Sequence, residues 1–274
     1  MALEVINTND DSVKRGKLLS LSLIIALSIF IQTIVKINEG DVFRTVSTAM
    51  IYLVVSFLGL IWAFNFQVKI RSLPFLLQSS LFVMSEYLFI QLFFVQKFSR
   101  IYEGLILLVL VAMIFVGTYV SFLMANVFNV NLYKSIPLVH VGRTTSYIIS
   151  TFSVFFITFG LLSLQLPVYI LIPLVIGVSV FLSFIHLKNL GYEGVLIFRK
   201  TFLVSLIVIF MFIGSFLTGV LHELSALSPT VGYFAGIGIA NMRSIDKSKN
   251  WEMLLYILAL IIVIVVNIKL NVFS

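Results

Sequence analysis

Residues Leu221–Ala240 read "LHELSALSPTVGYFAGIGIA", and the placing of this stretch decides how often the chain crosses a membrane. It lies between two long apolar runs. An adjacent His222–Glu223 pair is followed by Ser228–Pro229 and then by Gly232, Gly236 and Gly238. As a loop or a re-entrant dip it leaves the crossings on either side unchanged in number. As a short helix it adds one and reverses the side on which everything after it emerges.

That a membrane is the solvent follows from composition. Of the 274 residues, 61% are hydrophobic and 11% are charged, and the mean hydropathy is +1.15. Soluble domains are about 45–50% apolar and about 25% charged, so no soluble fold hides this much apolar surface. A crossing helix needs about 20 mainly apolar residues for about 30 Å of hydrocarbon. Such runs lie near 18–35, 46–66, 74–95, 104–125, 145–166, 168–187, 201–221 and 252–270. Helices are expected rather than strands, because backbone facing lipid must satisfy its own hydrogen bonds and barrel strands are short and alternating. The fold class is therefore all-α, a polytopic transmembrane helix bundle of about nine spans, or eight if residues 225–241 are re-entrant.

Basic residues choose between the two. With the N-terminus inside and the glycine-rich stretch crossing, the inside holds Lys14, Arg15, Lys17, Lys69, Arg71, Lys134, Arg143, Lys188, Arg199, Lys200, Arg243, Lys247 and Lys249. Lys36, Arg44, Lys97, Arg100 and Lys269 fall outside, so the split is 13 to 5. If the stretch dips and returns, Arg243, Lys247 and Lys249 exchange sides with Lys269, giving 11 to 7. The positive-inside rule favours the first. The net charge of +7 is thus read as retention of Lys and Arg on the cytoplasmic side. No basic run is long enough to track phosphates, so no nucleic-acid partner is expected.

The chain is expected to have a cytoplasmic N-terminal segment, 1–16, and a single transmembrane domain, 17–274, with its C-terminus outside. The first apolar run is long for a signal peptide, and "KINEGD" stands where a small-x-small cleavage site would lie, so an uncleaved first span is expected. A prokaryotic cytoplasmic membrane is the expected location. The partners expected are the bilayer and other membrane subunits or further copies of the chain.

Within the glycine-rich stretch, Ser228 is a good helix cap with Pro229 at the first position. Gly232 and Gly236 form a G-x-x-x-G, which lets a neighbouring backbone approach. A helix this short must start below the outer surface. His222, Glu223 and Ser228 would then line a polar pocket drawn in from outside; the bland reading is a wet surface turn.

Of the eleven acids, Glu86 alone falls mid-span, in "LLQSSLFVMSEYLFIQLFF". At about 100° per residue, Gln78, Ser79, Ser85 and Glu86 share an arc of roughly 120°. An intramembrane acid is costly and needs a reason. One reason is proton or cation handling, since burial makes the neutral form accessible near neutral pH. The other is packing, with a protonated carboxyl bonded across a helix interface.

Arg143, Ser146, Ser150, Ser153 and Gly160 line up on one stripe, as expected for a helix–helix contact. His140 and Arg143 are candidates for an inner-interface site on an anionic lipid or substrate, although interfacial Arg usually snorkels. Pro137 is expected to break any helix there, with residues 132–141 lying in the interface plane. Pro167 suits a helical first turn, and Pro173 should kink its helix.

The chemistry that is missing narrows function. Without cysteine there are no disulfides, thiolate metal sites or Cys nucleophile. H-E-x-x-H fails because Ala226 stands where the second His belongs. No G-x-S-x-G elbow or phosphate loop occurs. His140 and His186 fall at similar depth but lack the further ligands of a haem or metal site, so no cofactor and no metal are expected. Catalytic residues are not identifiable. A transporter or permease for a small solute or ion ranks first. A membrane-embedded enzyme acting on lipid-linked material, using His222 and Glu223 as acid and base, is the second reading. A non-catalytic membrane subunit or scaffold is the third.

Overall fold

A computed structural model describes residues 8–35, 41–94, 103–130, 136–164, 166–217, 223–242 and 249–272. Each of the expected apolar runs forms a helix there. The helices are α1 (Thr8–Val35), α2 (Val42–Ala63), α3 (Leu73–Phe89), α4 (Glu103–Val130), α5 (Ile136–Ser163), α6 (Val168–Asn189), α7 (Gly194–Leu217), α8 (Leu227–Asn241) and α9 (Lys249–Val272). No strand occurs among the described residues. Seven helices, α1 to α7, are long and apolar enough to cross a membrane, α3 together with the turns at its two ends. The chain is thus a helical, multi-pass membrane bundle. The last two expected crossings correspond to α8, of 15 residues, and α9, of 24 residues.

Several boundaries differ from expectation; for Pro137 the reason is that the first N–H groups of a helix have no intrahelical acceptor, so a proline costs nothing there. Pro137 therefore sits in the first turn of α5 instead of breaking it, and the helix already runs through residues 136–141. Residues 131–135 lie outside the described residues. Pro167 is the N-cap of α6 rather than its first residue. Ser228 is not the cap of α8. The helix starts at Leu227, Ala226 is the N-cap without a side-chain bond, and a 3-10 turn, Glu223–Ala226, leads in. Helix α1 begins at Thr8, inside the segment expected to be cytoplasmic.

The chain divides into two compact units, Met1–Ser146 and Tyr147–Ser274, with the division inside α5. In the first unit α3 packs against α2 and α4, and α1 against α4 and α2. The loop between α2 and α3 is tied at Asn65 by Lys17 of α1 and further along by Asn129. Asn129, buried near the end of α4, donates to the Gln67 carbonyl (3.0 Å) and accepts from the Ser72 hydroxyl (2.8 Å) and the Lys69 N–H (3.2 Å). In the second unit α8 packs chiefly against α7 and next against α9. A Cβ added at Gly232 would lie 3.2 Å from the Val208 Cα, and one at Gly236 would lie 3.3 Å from the Val204 Cα. As one number rises by four the other falls by four, so α7 and α8 are antiparallel and touch backbone to backbone. The G-x-x-x-G has the role its spacing implies.

Candidate functional site

The polar arc of α3 is buried as a whole: Gln78, Ser79 and Ser85 are inaccessible and Glu86 is 6% exposed. Each residue has a bonded partner. Gln78 donates to the Ser146 carbonyl (3.0 Å) and exchanges bonds with its hydroxyl. The Ser79 hydroxyl donates to the Ser121 carbonyl of α4 (2.8 Å), and that of Ser85 to Phe82 one turn back (2.6 Å). Glu86 Oε2 accepts from the Thr118 hydroxyl (2.9 Å). Its other oxygen lies against Gly117, where an added Cβ would come within 2.5 Å. Gly117 is thus the residue that lets α4 close over the carboxyl. Among the described residues no Lys, Arg or His forms an ion pair with Glu86; the pair present there joins Arg44 to Asp41 at the start of α2.

Beyond Glu86 the backbone departs from a regular helix, which the residue pattern does not signal. The helix widens into a π-turn, Ile90–Phe94, and the Ile90 N–H bonds to the carbonyls of Glu86 and Tyr87. Such turns spoil the regular i to i+4 ladder and occur frequently at functional sites. Gln91 in that turn is buried and donates to Thr33 of α1 (2.9 Å).

The other candidates are placed less favourably or lie out of view. His140 is exposed on the first turns of α5, and Arg143 is half-buried with no partner for its Nε among the described residues. The expected small-residue stripe is buried at Ser146, Ser150, Ser153 and Gly160. His222 lies outside the described residues, as does the side chain of Glu223, whose backbone opens the 3-10 turn. Ser228 is 1% exposed and accepts from Asn267 of α9. Together with buried Ser225, it sets the end of the turn inside the protein.

In the second unit, sequence reading missed a cavity of about 180 Å³, lined in part by Tyr147, His186, Gly238, Asn241 and Tyr256. The Tyr147 hydroxyl donates to the Phe234 carbonyl (2.7 Å), and its ring lies 5.2 Å from His186 and 5.3 Å from Phe234. The Tyr256 ring packs onto Gly238, where no Cβ would fit. One helical turn along α5, α6 and α8 from Tyr147, His186 and Ile237, the Tyr233 hydroxyl lies beside Ser150 and Ser183. No signal within one segment marks this place. Its walls come from four helices, and aromatic residues in apolar runs look like ordinary core. Among the described residues no three His, Asp or Glu side chains converge where a metal ion would sit.

No protein-family model matches the chain, and no curated protein or solved structure does either.

Proposed function

We propose that the chain transports a small solute or ion, and that Glu86 is the group that exchanges a proton or cation. The observation carrying this reading is a carboxyl buried mid-span, with one hydroxyl donor and no ion-pair partner among the described residues. A bare charge there is expensive by several kcal/mol. The group must therefore hold a proton, or release it when a cation takes its place. A carboxyl serving only as glue would need no irregular backbone, whereas here the π-turn begins at Ile90, four residues after Glu86. The orientation that goes with this reading puts the N-terminus in the cytoplasm and the C-terminus outside a prokaryotic cytoplasmic membrane, as the distribution of Lys and Arg supports. The outward apolar side chains of α9, such as Leu255, Leu258 and Ile261, suit contact with lipid or with another membrane subunit.

The test uses sealed liposomes holding the purified protein and an internal pH dye. Sodium, lithium or potassium gradients are imposed with the membrane potential clamped. Wild type moves protons in response to at least one cation, and Glu86→Gln loses at least tenfold of the rate while eluting as a folded protein. Equal rates in wild type and variant would remove Glu86 from the mechanism. No proton or cation movement in wild type would remove the transport reading.

A further inference from the structure

We propose that Glu86 exchanges its proton along the seam between α3 and α4, toward the α2–α3 loop, and that the Phe82 ring gates this route. The route rests on the Glu86 reading above and adds the side from which that carboxyl is reached. Ser72, just ahead of α3, and Ser79 and Glu86 on it are spaced seven residues apart, so at about 100° per residue they share one face. Each meets α4 there. Ser72 donates to the Asn129 side chain (2.8 Å), Ser79 donates to the Ser121 carbonyl (2.8 Å), and Glu86 accepts from Thr118 (2.9 Å). The three rungs run from the loop that carries Lys69 and Arg71 to mid-span. One turn beyond Glu86 the same faces carry Ile90 and Ile114, both buried, and Gln91 is bonded to α1 instead. Among the described residues the polar seam thus ends at Glu86. In the orientation proposed above, its open end is cytoplasmic.

Two features suit this seam to carrying a proton as well as to packing. The first is Ser121, whose hydroxyl is buried with no hydrogen-bond partner among the described residues. A hydroxyl that serves packing alone bonds to its own helix one turn back, as Ser80 does to the Leu76 carbonyl (2.9 Å). Ser121 keeps its donor and both lone pairs for another group. It stands one turn along α4 from Gly117, against which Glu86 Oε1 lies. The second is the Phe82 ring. From Ser79 to Glu86 the rise is about 10 Å, too far for a proton to pass without water between. Phe82 lies between the two and is buried. A Cβ on Gly117 would meet the ring at 3.3 Å and Glu86 Oε1 at 2.5 Å, so ring and carboxyl share one groove. An apolar side chain at a constriction keeps water out until it moves. With the ring turned aside, the carboxyl O–H gives its proton to a water in the groove. Each water and hydroxyl along the seam then accepts one proton and releases one. The proton leaves into water at the loop, and a carboxylate remains for the cation.

The chain has no cysteine, so single cysteines report water access without background. Ser79→Cys, Ser121→Cys, Ile114→Cys and Ile70→Cys are made one at a time. Ile70 is 85% exposed in the loop and marks that side of the membrane. Intact cells and inverted vesicles are treated with silver ion, which follows water and does not cross lipid. Thiols left unreacted are counted with a maleimide after denaturation. Ser79→Cys and Ser121→Cys are expected to react from the side that reaches Ile70→Cys, at least threefold faster when Phe82→Ala is added. Ile114→Cys reacts from neither side. Should Phe82→Ala fail to fold, Phe82→Leu replaces it. In the liposome assay Ser121→Ala slows proton movement at least threefold, and Ser80→Ala leaves it unchanged. Reaction from the opposite side, reaction at Ile114→Cys, no reaction at Ser121→Cys even with the Phe82 change, or equal rates in the two serine variants overturns the route. A wild type that moves no protons while the cysteines react as expected removes the transport reading and leaves the sided water path. Loss of transport in Glu86→Gln with cysteines that do not react leaves Glu86 in place and removes the route.

Discussion

Helix α3 buries ten of its 17 residues and α8 nine of its 15, yet different interactions hold the two in place. On α3 five of the buried side chains are Gln78, Ser79, Ser80, Ser85 and Glu86, and three of these reach another helix through hydrogen bonds. On α8 the glycines let Val204 and Val208 of α7 come within van der Waals contact of the backbone. Lipid is as apolar as leucine, so burying apolar surface gives a membrane helix little reason to choose a neighbour. Close backbone packing and hydrogen bonds are the two remaining means: α3 relies on hydrogen bonds, whereas α8 adds close backbone packing to its bonds with Asn267, Tyr147 and Tyr192. The difference also bears on function. Glycine packing leaves nothing to titrate, whereas a hydrogen-bonded polar face that includes a carboxylic acid can hold and release a proton.

The largest effect should come from filling the glycine contact. Gly236→Leu drives a branched side chain into Val204 and should cost about 3 kcal/mol or more, read as a steep fall in Tm in detergent. Gly236→Ala needs Val204 to yield by only a few tenths of an ångström and should cost about 1 kcal/mol. An unchanged Tm for the leucine variant would show that α8 is not held by backbone approach.

Next comes the loop ahead of α3. Asn129→Ala removes three hydrogen bonds and strands buried partners, at a cost of about 2 kcal/mol. Limited proteolysis should then find new cleavage between residues 64 and 72. A variant as stable and as resistant as wild type would mean that Asn129 does not pin this loop.

Smaller again is Thr118→Val, which deletes the hydroxyl bonded to Glu86 and should cost about 1 kcal/mol. The matching change on α8, Ser228→Ala, removes its bond with Asn267 and should cost a similar amount. If only the second mattered to stability, α3 would not depend on its side-chain bonds, and the contrast between the two helices would fail.

How much of this could be read in advance depends on how local the signal is. The helices were legible because crossing about 30 Å of hydrocarbon dictates both length and composition. Gly232 and Gly236 announced a close contact because the four-residue spacing lies within one segment. Burial of the Gln78–Glu86 face followed from periodicity, since polar groups avoid lipid. Pro137 misled because a proline that ends one helix and a proline that starts the next look alike in sequence; only the chain on either side distinguishes them. The cavity at Tyr147, His186, Asn241 and Tyr256 was invisible for a different reason. These residues are widely separated along the chain and meet only through the packing of α5, α6, α8 and α9. The π-turn after Glu86 also left no trace, because "IQLFF" carries none of the Gly or Pro that mark an irregular backbone.

The central claim is that Glu86 holds an exchangeable proton inside the membrane, and a carbodiimide tests it most directly. Dicyclohexylcarbodiimide adds to protonated carboxyls in apolar surroundings, and the adduct is located by peptide mass spectrometry. Modification is expected at Glu86 in the folded protein, declining as pH rises, slowed at least threefold by the cation that drives proton movement, and absent in Glu86→Gln. A Glu86 that stays unmodified across pH 5 to 9, or one whose modification no cation slows, would contradict it.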